Sequence, residues 1–166
     1  MKSPLPIPSD IMDYLRYDAE TGKLYWTAFP HGGSSHLVGT EAGKTNRHGY
    51  VRVCFRRREY GAHRIVYFAV TGAQPPETVD HRDGDRTNNR FENLRPASVL
   101  QNNCNRRLNA NASHKKGVKP RGTKFCAVIK LHRKRIHIGT YETEDEAHAA
   151  YVAKARELFG EFARAA

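Results

Sequence analysis

Between residues 14 and 60 the apolar residues come in short bursts separated by turn residues, a pattern that predicts short strands rather than helices. TGKLYW follows an Ala-Glu-Thr-Gly turn, and HGYVRVCF supplies a second strand. GAHRIVYFAVTG, at 61–72, predicts a short, strongly apolar helix stopped by Gly72 and by the Pro75-Pro76 pair beyond it. TVDH then predicts a brief strand, RDGDRTNNR a long turn of residues that tolerate left-handed backbone, and ENLRPA a second strand. Ser98-x-x-Gln101 is a capping-box signature for a helix that carries Asn102 in its first turns.

Residues 105–116, NRRLNANASHKK, hold few large apolar side chains and predict a link between two units. Beyond it KFCAVIKL alternates. Phe125, Ala127, Ile129 and Leu131 point one way, and Lys124, Cys126, Val128 and Lys130 the other. RIHIG repeats the pattern, with Ile136 and Ile138 inward and Arg135 and His137 outward. Thr143-x-x-Glu146 opens a last helix whose stripe is Ala147, Tyr151, Ala155, Leu158 and Phe162. That stripe should cover the apolar face of the sheet and leave the cationic face open.

Composition narrows the reading. With 166 residues, the chain is long enough for one ordinary domain or two to three small ones. The longest apolar run, IVYFAV at 65–70, is too short to span a bilayer, and MKSPLPIPSDIMD has prolines and acids where a secretory signal needs an apolar core. An intracellular, cytoplasmic protein without membrane contact is therefore expected. Cys54, Cys104 and Cys126 are odd in number and far apart, which argues against a disulfide framework and against paired zinc knuckles.

The formal charge of +11 points to an acidic partner, with nucleic acid ahead of an anionic membrane. Its distribution sharpens this. From Asn93 to Tyr141 there is no Asp or Glu, while Lys and Arg number twelve. Their interleaving with alternating apolar residues places many of these charges on folded strands rather than on a solvated tail.

Residues 79–103, VDHRDGDRTNNRFENLRPASVLQNN, bring chemistry. A hard divalent cation such as Mg²⁺ takes oxygen ligands and keeps several waters, which suits the Asp80 carboxylate with the Asn102 amide oxygen. His81, with an ordinary pKa of about 6.5, can accept a proton from an attacking water near neutral pH. Asp80 and His81 are strand neighbours and face opposite sides, so they reach one site only if the strand end is distorted or they serve it from two flanks. The plainer alternative is a turn built by Asp83, Asp85, Asn88 and Asn89 beside a structural histidine.

AHRIV at 62–66, DHRDGDRTNNR at 80–90, ENLR at 92–95 and QNN at 101–103 resemble the HNH endonuclease family, especially its phage homing-endonuclease branch. The resemblance implies a ββα-metal fold in which Asp80 and Asn102 hold the metal, Mg²⁺ or Mn²⁺. It further implies that His81 activates water and Asn93 pins the loop that orients the histidine. His63 corresponds to the family's accessory histidine, supporting the loop or touching DNA. Arg95, Arg106 and Arg107 stand as phosphate contacts, with solvated arginines as the alternative.

The C-terminal stretch resembles the plant ethylene-response-factor (APETALA-type, AP2) DNA-binding domain through KGV, A-x-I-K, R-I-x-I-G-T-Y and EDEAHAAY. That resemblance implies a three-stranded sheet in the major groove with a helix behind it, and a reading face of Lys119, Arg121, Lys124, Lys130, Arg135 and His137. The family's tryptophans are absent and Val128 stands where it carries an acidic residue, so its sequence preference does not carry over.

The expected architecture is α+β. It comprises a β-rich N-terminal region (1–60), a ββα-metal nuclease unit (61–110), and a small three-stranded antiparallel sheet packed on one helix (111–166). The expected function is metal-dependent hydrolysis of duplex DNA, by nicking, from a monomer or weak dimer. A DNA-binding regulator with an inert nuclease unit is the rival. An RNA binder is disfavoured, because the cationic sheet offers few exposed aromatics for unpaired bases to stack on.

Overall fold

The computed structural model describes residues 4–29, 35–105, 113–131 and 134–163. The chain divides into two compact units, 1–97 and 98–166, each a body of its own.

In the first unit, β1 (Leu15–Asp18) and β2 (Lys23–Trp26) form an antiparallel hairpin. β3 (Lys44–Thr45), β4 (Val51–Phe55) and β5 (Arg58–Gly61) form a three-stranded antiparallel sheet. Cross-strand partners share a face, so Val53 and Tyr60 turn inward together while Cys54 and Glu59 turn outward. α1 (Ala62–Thr71) follows at once and presents Ala62, Ile65 and Val66 to the core. It ends as the sequence predicts, on Gly72 at φ +69°, whose amide caps the Phe68 carbonyl in a geometry that favours glycine.

Ile11, Leu15, Leu24, Val53, Phe55, Ile65 and Val66 are completely enclosed. Each such side chain contributes roughly 1.5–3 kcal/mol of transfer free energy. The buried guanidinium of Arg64 donates to the carbonyls of Pro75 (3.3 Å) and Pro76 (2.6 Å), so α1 anchors the segment that leads into β6 (Thr78–His81). β6 pairs antiparallel with β7 (Leu94–Ala97), Asp80 opposite Arg95 and His81 opposite Leu94. Of the predicted strand ENLRPA, Glu92 and Asn93 instead belong to a 3-10 turn, Phe91–Asn93, and only 94–97 are extended.

In the second unit, α2 (Val99–Asn105) opens on the expected capping box. Gln101 N–H donates to Ser98 Oγ (3.2 Å), and Ser98 N–H donates to Gln101 Oε1 (2.8 Å). α2 follows the β6–β7 hairpin in sequence but groups with this unit.

β8 (Val118–Arg121), β9 (Lys124–Leu131) and β10 (Lys134–Tyr141) form an antiparallel sheet in the order β10-β9-β8. Packed on it is α3 (Glu144–Phe159), which begins with the complete Thr143/Glu146 capping box. The buried stripe of α3 is Ala147, Tyr151, Ala155 and Phe159. Leu158, expected in it, is only half-buried, because the spacing of four that begins at Ala147 runs on to Phe159. Phe162 is buried from the 3-10 turn after α3 rather than from the helix. Among the described residues no helix is long and apolar enough to cross a membrane.

Candidate nuclease site

Asp80 and His81 end the first arm of the β6–β7 hairpin, and both are buried. Asp80 Oδ2 accepts from Arg95 Nε (3.1 Å) and Nη2 (3.0 Å), a cross-strand ion pair sealed from solvent. The expectation that Arg95 contacts DNA phosphate is therefore revised. Its guanidinium is 5% exposed and serves Asp80.

His81 faces Asn89, with Nε2 3.1 Å from Asn89 Oδ1. Asn89 Nδ2 donates to the Thr87 carbonyl (3.1 Å), which fixes the amide with its oxygen toward the imidazole. An amide oxygen only accepts, so Nε2 carries the hydrogen and Nδ1 is the basic nitrogen. Burial pushes the His81 pKa below its ordinary value. The Asn89 hydrogen bond and the charges of Asp80, Asp83 and Asp85 act in the opposite sense without reversing it. The ring is thus neutral near pH 7, the form that can take up a proton.

The turn between the arms is tied together by its own side chains. Asn93, buried, accepts from Asp83 N–H (3.1 Å) and donates Nδ2 to Asp83 Oδ1 (3.0 Å) and to the Asn88 carbonyl (2.8 Å). Asn88 Nδ2 donates to Asp83 Oδ2 (2.7 Å), and Asp83 Oδ1 also accepts from Asp85 N–H (2.8 Å). Burial raises the Asp83 pKa, but the hydrogen bonds from Asn88, Asp85 and Asn93 outweigh it and hold the carboxyl below the usual range. Asn93 thus spans the base of the loop that carries Asn89.

His63, in the first turn of α1, meets His81 edge-to-face with ring centroids 5.3 Å apart. Although the residue keeps some accessible surface, its Nδ1 is enclosed and has no hydrogen-bond partner among the described residues. Burial first, then the charges of His81, Arg64 and Arg52, bring its pKa down to about 3. Tyr50 lies 5.6 Å from His63 and 6.1 Å from His81, and the Arg86 guanidinium sits 4.7 Å over its ring. Tyr50 and Arg52 carried no sequence signal for this neighbourhood. Asn89 did, as half of an Asn-Asn pair in a turn beside a histidine, but its hydrogen bond to the imidazole is visible only in three dimensions.

The Asp80–Asn102 pair straddles the division of the chain, Asn102 lying on α2 of the second unit. Among the described residues no group of three His, Cys, Asp or Glu could hold a metal. A hard cation that keeps most of its waters needs only one or two oxygens from the protein, and Asp80 fits that role.

In the second unit the register decides which cations share a face. Arg121 pairs with Lys124, Lys119 with Cys126, Arg135 with Lys130 and His137 with Val128. Positions 124, 126, 128 and 130 alternate onto one side of β9. Lys119, Arg121, Lys124, Lys130, Arg135 and His137 therefore lie on a single face, and all six are exposed. Lys124 is paired with Glu142, while Lys119, Arg121, Lys130 and Arg135 have no acidic partner among the described residues. Arg106 and Arg107 lie outside the described residues.

The buried hairpin of this α+β chain carries an acid and a histidine at neighbouring positions, Asp80 on Arg95 and His81 on Asn89. Residues 60–104 match the model of the HNH endonuclease family. A protein of Acanthamoeba polyphaga mimivirus described as an uncharacterized HNH endonuclease is 36% identical over 104 residues, which cover 61% of this chain and 54% of that protein. The chain thus spans about half the length of the curated relative it matches. No solved structure gives a significant match.

Proposed function

We propose that the chain is a metal-dependent DNA endonuclease that hydrolyses phosphodiester bonds in duplex DNA by nicking one strand. The observation that carries this reading is the buried His81 imidazole, with Nε2 on Asn89, beside Asp80 and within the segment that matches the HNH family. His81 Nδ1 takes the proton of the attacking water, a general base worth about 10²- to 10⁴-fold in rate. Asn93 keeps the loop, and through it Asn89, in register with the imidazole. Asp80 is the carboxylate for a divalent cation, Mg²⁺ or Mn²⁺, and Asn102 is its second protein ligand on the strength of the sequence resemblance. When bound, such an ion stabilises charge on the phosphate and the leaving oxygen.

The second unit is the grip. Its cationic sheet face carries the charge to meet a phosphate backbone, and the resemblance of its sequence to AP2-type domains supports placing it in a major groove. One hairpin site per chain fits nicking by a monomer.

A second reading, a DNA-binding protein whose nuclease hairpin is inert, is favoured by one observation. Arg95 already neutralises Asp80, so a cation would have to share that carboxylate. Supercoiled plasmid separates the two readings. The enzyme converts it to open circles with Mg²⁺ or Mn²⁺ and stops on chelation, whereas plasmid that stays supercoiled while binding protein leaves the inert reading standing.

A further inference from the structure

The loop that presents Asn89 to His81 is held from outside by an element with no part in the chemistry above. A cavity of about 400 Å³ lies beside this loop and is lined by both the loop and the β1–β2 hairpin, Gly22, Lys23, Thr87, Asn88, Asn89 and Arg90 among others, so the loop is packed only in part. At Asn89–Phe91 the β1–β2 hairpin touches the backbone directly. Arg90 Nε donates to the Glu20 carbonyl (2.6 Å), and Phe91 N–H donates to the Tyr17 hydroxyl (3.0 Å). Gly22, at φ +74°, passes so near that a Cβ there would lie 2.5 Å from the Arg90 amide nitrogen and 2.9 Å from the Asn89 carbonyl carbon.

The hairpin turn is itself stiff. Asp18 Oδ1 accepts from the amides of Glu20 (3.0 Å) and Thr21 (3.3 Å), and Gly22 N–H donates to the Asp18 carbonyl (2.9 Å). A rigid turn pressed on residues 89–90 fixes the Cα of Asn89, and Asn89 Oδ1 is what holds Nε2 of His81.

We propose that the β1–β2 hairpin is a positioning element for His81, with Gly22 and Tyr17 setting the backbone of residues 89–91 and thereby the orientation of the imidazole. This rests on the nuclease reading for its consequence in catalysis, but not for the mechanical coupling itself. A proton acceptor displaced by a fraction of an ångström loses rate while DNA binding, made elsewhere, is retained. Glycine is required at position 22 both by its backbone angle and by the approach of Arg90, so alanine there must push residues 89–90 away.

The test compares Gly22→Ala and Tyr17→Phe with Gly39→Ala in the full chain. Gly39 has a similar backbone angle, φ +84°, but open space where a Cβ would go, so it controls for backbone strain alone. Two quantities are read: the ¹⁵N NMR shifts of the His81 ring nitrogens, and kcat and KM for plasmid nicking. The proposal expects the His81 signals to move in Gly22→Ala and Tyr17→Phe and to stay in Gly39→Ala. It expects kcat to fall about 10- to 100-fold in Gly22→Ala, with KM for DNA unchanged. If Gly22→Ala does not fold, Tyr17→Phe, which removes only an acceptor hydroxyl, decides the matter. His81 signals that stay put in the folded variants, or that move equally in Gly39→Ala, overturn the proposal. Signals that move as expected in a protein that never nicks DNA uphold the coupling and defeat the nuclease reading instead.

Discussion

Arg95 and Asp80 stand opposite each other on the β6–β7 ladder, and each buries the other's charge. Removing one partner takes a counter-charge away from a buried ion, so Arg95→Met should destabilise the protein by about 3–5 kcal/mol, and Asp80→Asn in the same chain should restore part of the loss. Urea unfolding measures both, and an Arg95→Met variant of unchanged stability would mean that the arginine works on DNA rather than on the fold.

His63 makes a pH prediction. Its pKa is about 3 in the folded protein against an ordinary 6.5, so between those values the unfolded chain carries a proton that the folded protein does not. Stability from this group is full above about pH 6.5 and is lost as the pH falls toward 3. His81 shifts in the same direction and adds to the effect. The loss between pH 7 and pH 4.5 should therefore be smaller in His63→Gln than in the wild type, again by urea unfolding, and an equal loss would remove His63 as a source.

At this scale the sequence made the histidine–asparagine constellation legible, because the order of Asp80, His81 and Asn93 is written in the chain. It concealed the partner of Asp80. Whether an arginine faces solvent or a carboxylate depends on a cross-strand register, and local pattern does not encode that.

Elements were readable where period and punctuation agreed. α1 ends on Gly72, α2 and α3 begin on capping boxes, and β9 alternates as written, save that Cys126 is buried between longer neighbours on the cationic face. The β4–β5 turn was not readable. Arg56 and Arg57 both adopt positive φ where Asn-Gly would be usual, and Arg56 is held there by Asp10 and by stacking 5.8 Å over Tyr14, contacts that come from distant parts of the chain.

The β8–β9–β10 face carries its own prediction. Lys130 and Arg135 are cross-strand partners without an acidic neighbour among the described residues. If they contact phosphates, Lys130→Ala with Arg135→Ala should weaken duplex binding and reduce the slope of log affinity against log salt by about two, one for each contact. A slope unchanged by both substitutions would take this face out of the interface.

For the whole molecule, the charge map was the most informative feature of the sequence. The stretch from Asn93 to Tyr141 without acids spans most of the cationic sheet, whereas several acids of the first unit are engaged in turns or paired with Lys23, Arg52, Arg56 and Arg95. The division of the chain was less legible. The β-rich N-terminal residues and the β6–β7 hairpin share one hydrophobic core, from Ile7 to Leu94, so no boundary falls at residue 60, and the compact units part at 97/98 instead. Short apolar bursts do not reveal which of them pack together, and that joint core is what lets β1–β2 reach the loop beside His81.

The claim on which the account turns is that His81 takes a proton during strand cleavage. Single-turnover nicking of a duplex at saturating protein, with Mg²⁺ or Mn²⁺, measures it directly in wild type and His81→Ala at matched DNA occupancy. The account predicts a rate lower by about 10²- to 10⁴-fold in the variant with binding retained. Equal rates in the two proteins would contradict it.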